Sequence, residues 1–166
     1  RLLSLTAVST PHPLAVVKAM DSPTGDQAKR SAYVNLFRLP KVPEVLLLAG
    51  EGAGLRKLFW NSGFVDREAV EEYVRVLDGH DAISAALNWY RALDFGALAG
   101  IGPVDVPTLF VWSTDDPALG PEAAEATAAY VRGPYRFVAL AGVGHWVPED
   151  AADDLNVELL AHLGSC

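Results

Sequence analysis

The segment Gly142-Val143-Gly144-His145-Trp146 lies between a predicted strand, Tyr135–Leu140, and a predicted helix that begins with Pro148. Glycines before the histidine let the backbone bend sharply, so this loop can present the His145 imidazole to a cleft. Trp146 can pack against its surroundings and hold the loop in place. A histidine that acts as a general base needs a carboxylate to fix its tautomer and stabilise the imidazolium. The segment therefore predicts a carboxylate partner at the end of a neighbouring strand.

A second strand end of this kind lies upstream, where the apolar residues 106–112 run into Ser113–Pro117. Asp116 precedes a proline, and that position favours an extended or turn backbone that can aim the side chain outward. Asp115 is the alternative acid, interpreted as a solvent-facing or helix-side acid. Asp116 is therefore the predicted partner of His145. Spacing alone leaves a second interpretation open, in which an ordinary loop histidine follows a turn-forming pair of aspartates.

The sequence offers no candidate nucleophile. A glycine-flanked turn between a strand and a helix is found at none of Ser4, Ser9, Ser31, Ser62, Ser84 and Ser113. Neither Gly-x-Ser-x-Gly nor a Gly-Asp variant of that elbow occurs. The chain also begins within an apolar run that is typical of a core strand, as though it started in the middle of a fold. An acid and a base are therefore predicted without a nucleophile beside them.

The composition fits a single domain that can bury a core of its own. The 166 residues include 13 basic and 21 acidic side chains, giving a formal net charge of −8. No basic patch stands out, so we expect no nucleic-acid partner. The single cysteine, Cys166, excludes a disulfide framework and is compatible with a reducing compartment, so we expect a cytoplasmic protein. No apolar run is long enough to span a bilayer, and we expect neither a membrane partner nor a signal peptide.

The apolar patterns predict an α/β fold with an all-helical insert. The first strand reads as one covered on both faces in a parallel sheet. Within the insert, Asp66 is a predicted N-cap, and Asp81 or Ser84 begins the last long helix. The predicted elements are, in order, a strand at 2–9, a helix at 14–20, helices between 26 and 98, a strand at 106–112, a helix at 121–132, a strand at 135–140 and a helix at 148–163.

The last long helix of the insert carries the segment Asn88–Arg91, in which Tyr90 places a polar phenol on an otherwise apolar helix. Such a tyrosine can be a buried residue with one satisfied hydrogen bond. It can also hang over a pocket and donate a hydrogen bond or a proton to a substrate oxygen. The pattern alone leaves both interpretations open.

With these residues, the sequence resembles the C-terminal half of an α/β-hydrolase of the epoxide hydrolase and haloalkane dehalogenase branch. The segment Leu87–Arg91 is similar to the cap segment in which soluble epoxide hydrolases carry a tyrosine that hydrogen-bonds the epoxide oxygen, here Tyr90. The segment Tyr33–Glu44 resembles the cap region that holds the second such tyrosine. The alignment places Leu36 at that position and Tyr33 one helical turn earlier. Either Tyr33 substitutes, or the protein has one phenol instead of two.

The resemblance implies a partial α/β-hydrolase parallel sheet with an inserted all-helical cap. Residues 1–25 would follow the nucleophile region, residues 26–100 would form the cap, and residues 101–166 would carry the acid and the histidine. It further implies catalytic roles for Asp116, His145 and Tyr90. A pocket for a small apolar epoxide or ester would be lined by Tyr33, Leu36, Trp89 and Trp146. No cofactor and no metal are implied.

For the parent enzyme, the resemblance implies attack on the substrate by an Asp or Ser of the N-terminal half. Tyr90 would assist epoxide ring opening, and His145, oriented by Asp116, would activate the water that hydrolyses the covalent ester. Two alternatives remain. The parent could be an esterase or lactonase, because some cap-bearing members share the Asn-Trp-Tyr-Arg segment, or the chain could be a non-catalytic module or an inactive fragment. We expect the chain to pair with itself as a homodimer or with a complementary N-terminal fragment.

Overall fold

The computed structural model describes residues 2–98 and 100–165, so the prediction made from Cys166 lies outside the described residues. The described residues form a parallel three-stranded sheet in the order β1–β2–β3. The strands are β1 at Leu5–Val8, β2 at Thr108–Ser113 and β3 at Tyr135–Leu140. Because the strands are parallel, their carboxyl ends meet at one edge of the sheet. The predicted combination of a parallel sheet with an all-helical insert is confirmed.

Helices are the other regular elements of the described chain, joined by loops and turns. Their bounds are α1 Pro13–Met20, α2 Gln27–Arg30, α3 Tyr33–Phe37, α4 Val42–Asn61, α5 Arg67–Leu77, α6 His80–Arg91, α7 Phe95–Leu98, α8 Pro121–Ala126, α9 Val147–Asp150 and α10 Ala152–Leu163, with a 3₁₀ turn at Thr127–Tyr130. Helix α4 is kinked at residues 49–52, where the backbone is not helical. Within the described ranges, no helix is both long enough and apolar enough to cross a membrane.

Strand β1 is shorter and less buried than predicted. The sequence predicted a strand over residues 2–9 covered on both faces, whereas Leu5–Val8 are all of intermediate exposure. Within the described residues β1 pairs with β2 alone and forms an edge of the sheet. Strand β2 has a partner on each side and is buried at every position. The strand that is buried on both faces is therefore β2 and not β1.

Several predicted helices begin or break at slightly different residues. Asp66 caps α5 as predicted, because its Oδ1 accepts from the backbone N–H groups of Glu68 at 2.8 Å and Ala69 at 3.1 Å. Helix α6 begins at His80, just before the predicted Asp81. The predicted helix at 148–163 is split into α9 and α10 by Ala151, whose φ of −140° is not helical. Local caps were thus readable from the sequence, whereas breaks set by packing were not.

The helices between β1 and β2 pack around an apolar core of their own. Its buried members are Phe37, Leu47, Leu55, Phe59, Phe64, Val70, Val74, Ile83 and Leu87. A separate buried cluster, including Leu109 and Val111 of β2, lies against the sheet. Trp146 of the histidine loop packs against the helical core. The histidine loop therefore lies where the helical layer meets the sheet layer.

A buried ion pair joins two helices of the insert. Glu44 of α4 is 2 % exposed, and its Oε1 accepts from Arg91 Nη2 at 2.7 Å and from Ser84 Oγ at 2.8 Å, both on α6. Burial alone would raise the pKa of Glu44, but the hydrogen bonds from Arg91, its own backbone and Ser84 outweigh burial and lower the pKa to about 2. The pair therefore stabilises the insert only while Glu44 is ionised.

This pair predicts a pH dependence of stability. The folded-state pKa of Glu44, about 2, lies below its ordinary value of 4.5. Its contribution to the free energy of unfolding is therefore complete above that ordinary value and is lost as the pH falls toward the folded value. We expect Glu44→Gln to unfold more easily at neutral pH and to show a shallower loss of stability across this acidic window. Thermal unfolding over that range, with the exposed Glu125→Gln as control, checks this; equal slopes would contradict it.

Candidate active site

The acid candidate, Asp116, lies in a turn just beyond β2. The residue is 2 % exposed, and its Oδ1 accepts backbone hydrogen bonds from Ala118 at 2.8 Å and Leu119 at 3.0 Å. These two donors fix the rotation of the carboxylate and leave Oδ2 free to face another partner. Asp115 is exposed, as the sequence predicted for the alternative acid.

The histidine candidate follows β3, the strand beside β2. His145 Nδ1 lies 2.8 Å from Asp116 Oδ2, within the hydrogen-bonding reach that the sequence predicted. An ionised carboxylate only accepts, so Nδ1 carries the proton and Nε2 is left as the basic nitrogen. Ser113 Oγ donates to the Gly144 carbonyl, and Ser9 Oγ donates to the His145 carbonyl at 2.8 Å. Side chains at the ends of β1 and β2 thus hold the loop.

A cavity of about 350 Å³ lies between the helical layer and the histidine loop. Its walls are mostly apolar, formed by side chains of the insert such as Phe37, Leu47, Leu55 and Leu87. The polar groups that reach it include His145 and the phenols of Tyr33 and Tyr90. An apolar pocket with a few convergent polar groups is typical of a small-molecule site. Within the described residues, no group of three or more His, Cys, Asp and Glu side chains could hold a metal ion.

Two tyrosines from different helices meet in the cavity wall. The rings of Tyr33 and Tyr90 lie edge to face with centroids 5.9 Å apart, and Phe37 packs against both. Burial raises the pKa of Tyr33 above its ordinary value, and the nearby Tyr90 phenol adds to the rise. Burial also raises the pKa of Tyr90, with the interaction with Tyr33 opposing part of it. Both phenols therefore stay protonated at neutral pH and can donate a hydrogen bond.

Two of the predicted pocket residues lie elsewhere. Trp89 is 82 % exposed and Leu36 is 38 % exposed, and neither lines the cavity. On helix α6 successive side chains point about 100° apart, so the residue next to an inward-facing Tyr90 faces solvent. On α3, Tyr33 and Phe37 line the cavity, whereas Leu36 does not, although Tyr33 is itself 37 % exposed. The prediction that Trp89 and Leu36 line the pocket is corrected, whereas Trp146 does line it.

Known proteins are similar to this chain over nearly its whole length. No family model matches the sequence. Mouse "Epoxide hydrolase 4" is 27% identical over 171 residues, covering 98% of this chain and 47% of its own length. The "AB hydrolase superfamily protein YfhM" of Bacillus subtilis strain 168 is 31% identical over 170 residues, covering 98% of this chain and 57% of its own length. The chain spans about half the length of the curated relatives it matches.

Solved structures show the same fold. An epoxide hydrolase of Bacillus megaterium in complex with an inhibitor superposes with a TM-score of 0.78 at 21% identity, covering 98% of this chain and 61% of its own. One of the epoxide hydrolases found in metagenomes from hot environments superposes with a TM-score of 0.74 at 28% identity, over 98% and 59% of the two chains. This chain is homologous to α/β-hydrolases. The resemblance to the C-terminal half of an epoxide hydrolase-like member, predicted from the sequence, is confirmed.

In this hydrolase fold, a segment of the helical cap touches the histidine loop directly, which sequence reasoning missed. The Ser62 carbonyl accepts from the His145 N–H at 3.3 Å, and Ser62 Oγ accepts from Trp146 Nε1 at 2.7 Å. Gly63 has φ of +87°, and a Cβ there would lie 3.1 Å from Gly144 Cα. The short Asn-Ser-Gly sequence at 61–63 signals a turn, but nothing local signals this contact.

The close backbone approach predicts an effect of Gly63→Ala. A left-handed φ costs an L-residue about 1–2 kcal/mol of folding free energy, and the added methyl must also push Gly144 away. We expect lower stability and a shifted His145 imidazole signal in the NMR spectrum. Gly50→Ala is the matched control, because Gly50 has φ of +60° and its Cβ would make only an ordinary 3.5 Å contact with Ala53. A shift of the His145 signal in both variants would contradict the role assigned to this contact.

Proposed function

We propose that this chain supplies the acid, the base and the cap of a cofactor-independent hydrolase that opens small apolar epoxides through a covalent ester. The observation that carries the proposal is the 2.8 Å contact between His145 Nδ1 and Asp116 Oδ2 beside a cavity whose wall holds two phenols. Relatives named epoxide hydrolases support the same assignment. In this proposal, residues 26–100 are the cap, residues 1–25 and 101–166 belong to the core, and the nucleophile comes from a segment outside these residues.

The first step uses the phenols. A carboxylate nucleophile attacks an epoxide carbon, the ring C–O bond breaks, and the oxygen gains negative charge. Tyr33 and Tyr90, both kept protonated by burial, donate hydrogen bonds to that oxygen, and one transfers a proton to it. The product is a hydroxyalkyl ester of the nucleophile. The apolar walls exclude bulk water and hold the carbon skeleton.

The second step uses the acid–histidine pair. His145 Nε2 takes a proton from a water molecule, and the hydroxide attacks the ester carbonyl carbon. Asp116 stabilises the imidazolium that forms. The ester C–O bond then breaks, the diol leaves, and the carboxylate is regenerated. The proton on His145 returns to the phenolate, so protons balance over the cycle.

The test is single-turnover trapping in the full-length protein. Without the base, His145→Ala should accumulate a covalent adduct whose mass equals that of an aryl epoxide such as styrene oxide. Peptide mapping should place it on a carboxylate outside the 166 residues, and the chain alone should form none. A wild-type protein that hydrolyses aryl esters but not the epoxide, with His145→Ala forming no covalent adduct from either substrate, would replace this proposal with esterase activity, because a serine nucleophile needs the histidine for its own acylation.

A further inference from the structure

The turn that carries Asp116 is held by a buried glutamine of the first cap helix. Gln27 of α2 is 1 % exposed. Its Nε2 donates to the Ala118 carbonyl at 2.9 Å, and its Oε1 accepts from the Gly120 N–H at 2.9 Å. These two backbone groups flank Leu119, so one side-chain amide bridges the turn. Nε2 also donates to Ser31 Oγ at 2.9 Å, which fixes the amide on its own helix.

Arg30 lies three residues further along α2 and contacts the Asp116 end of this loop turn. Its Nη1 donates to the Asp116 carbonyl at 2.7 Å, and its Nε donates to Asp26 Oδ1 at 2.8 Å. The guanidinium also lies close to Gly120, where a Cβ would be 3.2 Å from Arg30 Nε. Residues of α2 therefore touch the turn from Asp116 to Gly120.

We propose that Gln27 and Arg30 are positioning residues for Asp116, so that the cap sets the contact between the acid and His145. The proposal rests on the proposed function for the identity of acid and base. The two backbone N–H bonds to Asp116 Oδ1 orient the carboxylate only relative to its own turn. The α2 contacts fix that turn in relation to the cap, and thereby the 2.8 Å distance from Oδ2 to His145.

The energetic reason is the burial of the groups that Gln27 satisfies. Without the amide, the part-buried Ala118 carbonyl and the buried Gly120 N–H would lose these partners, and an unsatisfied buried polar group destabilises the fold. The turn can recover part of that cost by moving toward water, which carries Asp116 away from His145. Gln27→Met keeps the length and most of the volume of the side chain but provides neither bond.

The experiment measures the Asp116–His145 contact and catalysis separately. The Nδ1–H proton of an imidazole bound to a carboxylate resonates far downfield in the proton NMR spectrum, and it is assigned by its loss in His145→Ala. We expect Gln27→Met to shift this signal upfield or broaden it beyond detection. In the full-length hydrolase, kcat for the epoxide should fall by about tenfold to 100-fold, the range expected when a catalytic group is misplaced, while kcat/KM, which reports the alkylation step, changes little.

Two controls separate positioning from general destabilisation. Ser31→Ala removes the anchoring bond on α2 but leaves both bonds to the turn, so it should keep the signal and kcat near wild type. Glu44→Gln destabilises the cap away from the turn and should leave the signal in place. Arg30→Met, which removes the bond to the Asp116 carbonyl, the pair with Asp26 and a positive charge in the cavity wall, provides a second probe if Gln27→Met does not fold.

An unchanged signal in the folded α2 variants would overturn the proposal. So would an equal shift in Glu44→Gln, because the effect would then reflect stability alone. Failure of the proposed function has a different signature. In that case wild type would not hydrolyse epoxides, yet the downfield signal would still move in Gln27→Met and Arg30→Met and remain in Ser31→Ala.

Discussion

Replacing Asp116 by Asn is expected to lower kcat of the full-length hydrolase roughly 10⁴-fold while leaving the fold intact. The Asn side-chain oxygen can replace Oδ1 and accept from the N–H groups of Ala118 and Leu119. Those two donors force the amide NH₂ to point at His145. An NH₂ group donates to Nδ1, so the proton moves to Nε2, the nitrogen that must accept a proton from water. The variant therefore keeps the His145 ring in position but leaves its proton on Nε2, so that this nitrogen cannot accept a proton from water.

The measurement combines steady-state hydrolysis of an aryl epoxide with trapping of the ester intermediate. Asp116→Asn should accumulate the covalent adduct, because alkylation does not need the base. The exposed neighbour gives a matched control: Asp115 Oδ1 accepts from Thr114 Oγ1 at 3.1 Å, whereas the carboxylate that contacts His145 Nδ1 is that of Asp116. Asp115→Asn should retain full activity. If Asp115→Asn loses activity and Asp116→Asn retains it, the catalytic acid is Asp115 and not Asp116.

Removing both phenols is expected to lower kcat/KM for an epoxide by roughly 10²–10⁴-fold, the range attributed to general acid catalysis. The double variant Tyr33→Phe/Tyr90→Phe keeps the edge-to-face packing with Phe37 and the shape of the cavity. It removes the hydrogen bonds to the ring oxygen. Either single variant should lose less, because the remaining phenol still donates.

The decisive measurement is which of the two reaction steps the double variant slows. The double variant should form the covalent adduct slowly, whereas hydrolysis of an adduct already formed should proceed at the wild-type rate, because that step uses His145. Single-turnover kinetics separate the two rates. Tyr73→Phe is a matched control, because this phenol donates to Glu149 Oε1 at 2.8 Å and does not line the cavity. Equal loss in alkylation and in ester hydrolysis would contradict the assigned role.

The sequence predicts those parts of the site whose contacts follow from a local pattern of residues, and it does not predict the others. Asp116 and His145 each follow a strand, and parallel strands bring their carboxyl ends to one edge, so their proximity could be expected. Tyr90 was singled out by its helix, but the choice between Tyr33 and Leu36 required knowing which face of α3 turns inward. Trp89 was placed in the pocket with its neighbour Tyr90, although adjacent helical residues face different directions.

The sequence by itself determined the order of strands and helices, the placement of the acid and the histidine after successive strands, and the presence of an all-helical insert. Periodicity, prolines and glycines act over a few residues, which is the range that a sequence pattern reports. Only the tertiary structure decided that Gln27 holds a turn 93 residues away and that Ser62 binds Trp146 across 84 residues. Those contacts arise where the cap packs on the sheet, because buried polar groups must find partners from whichever layer reaches them.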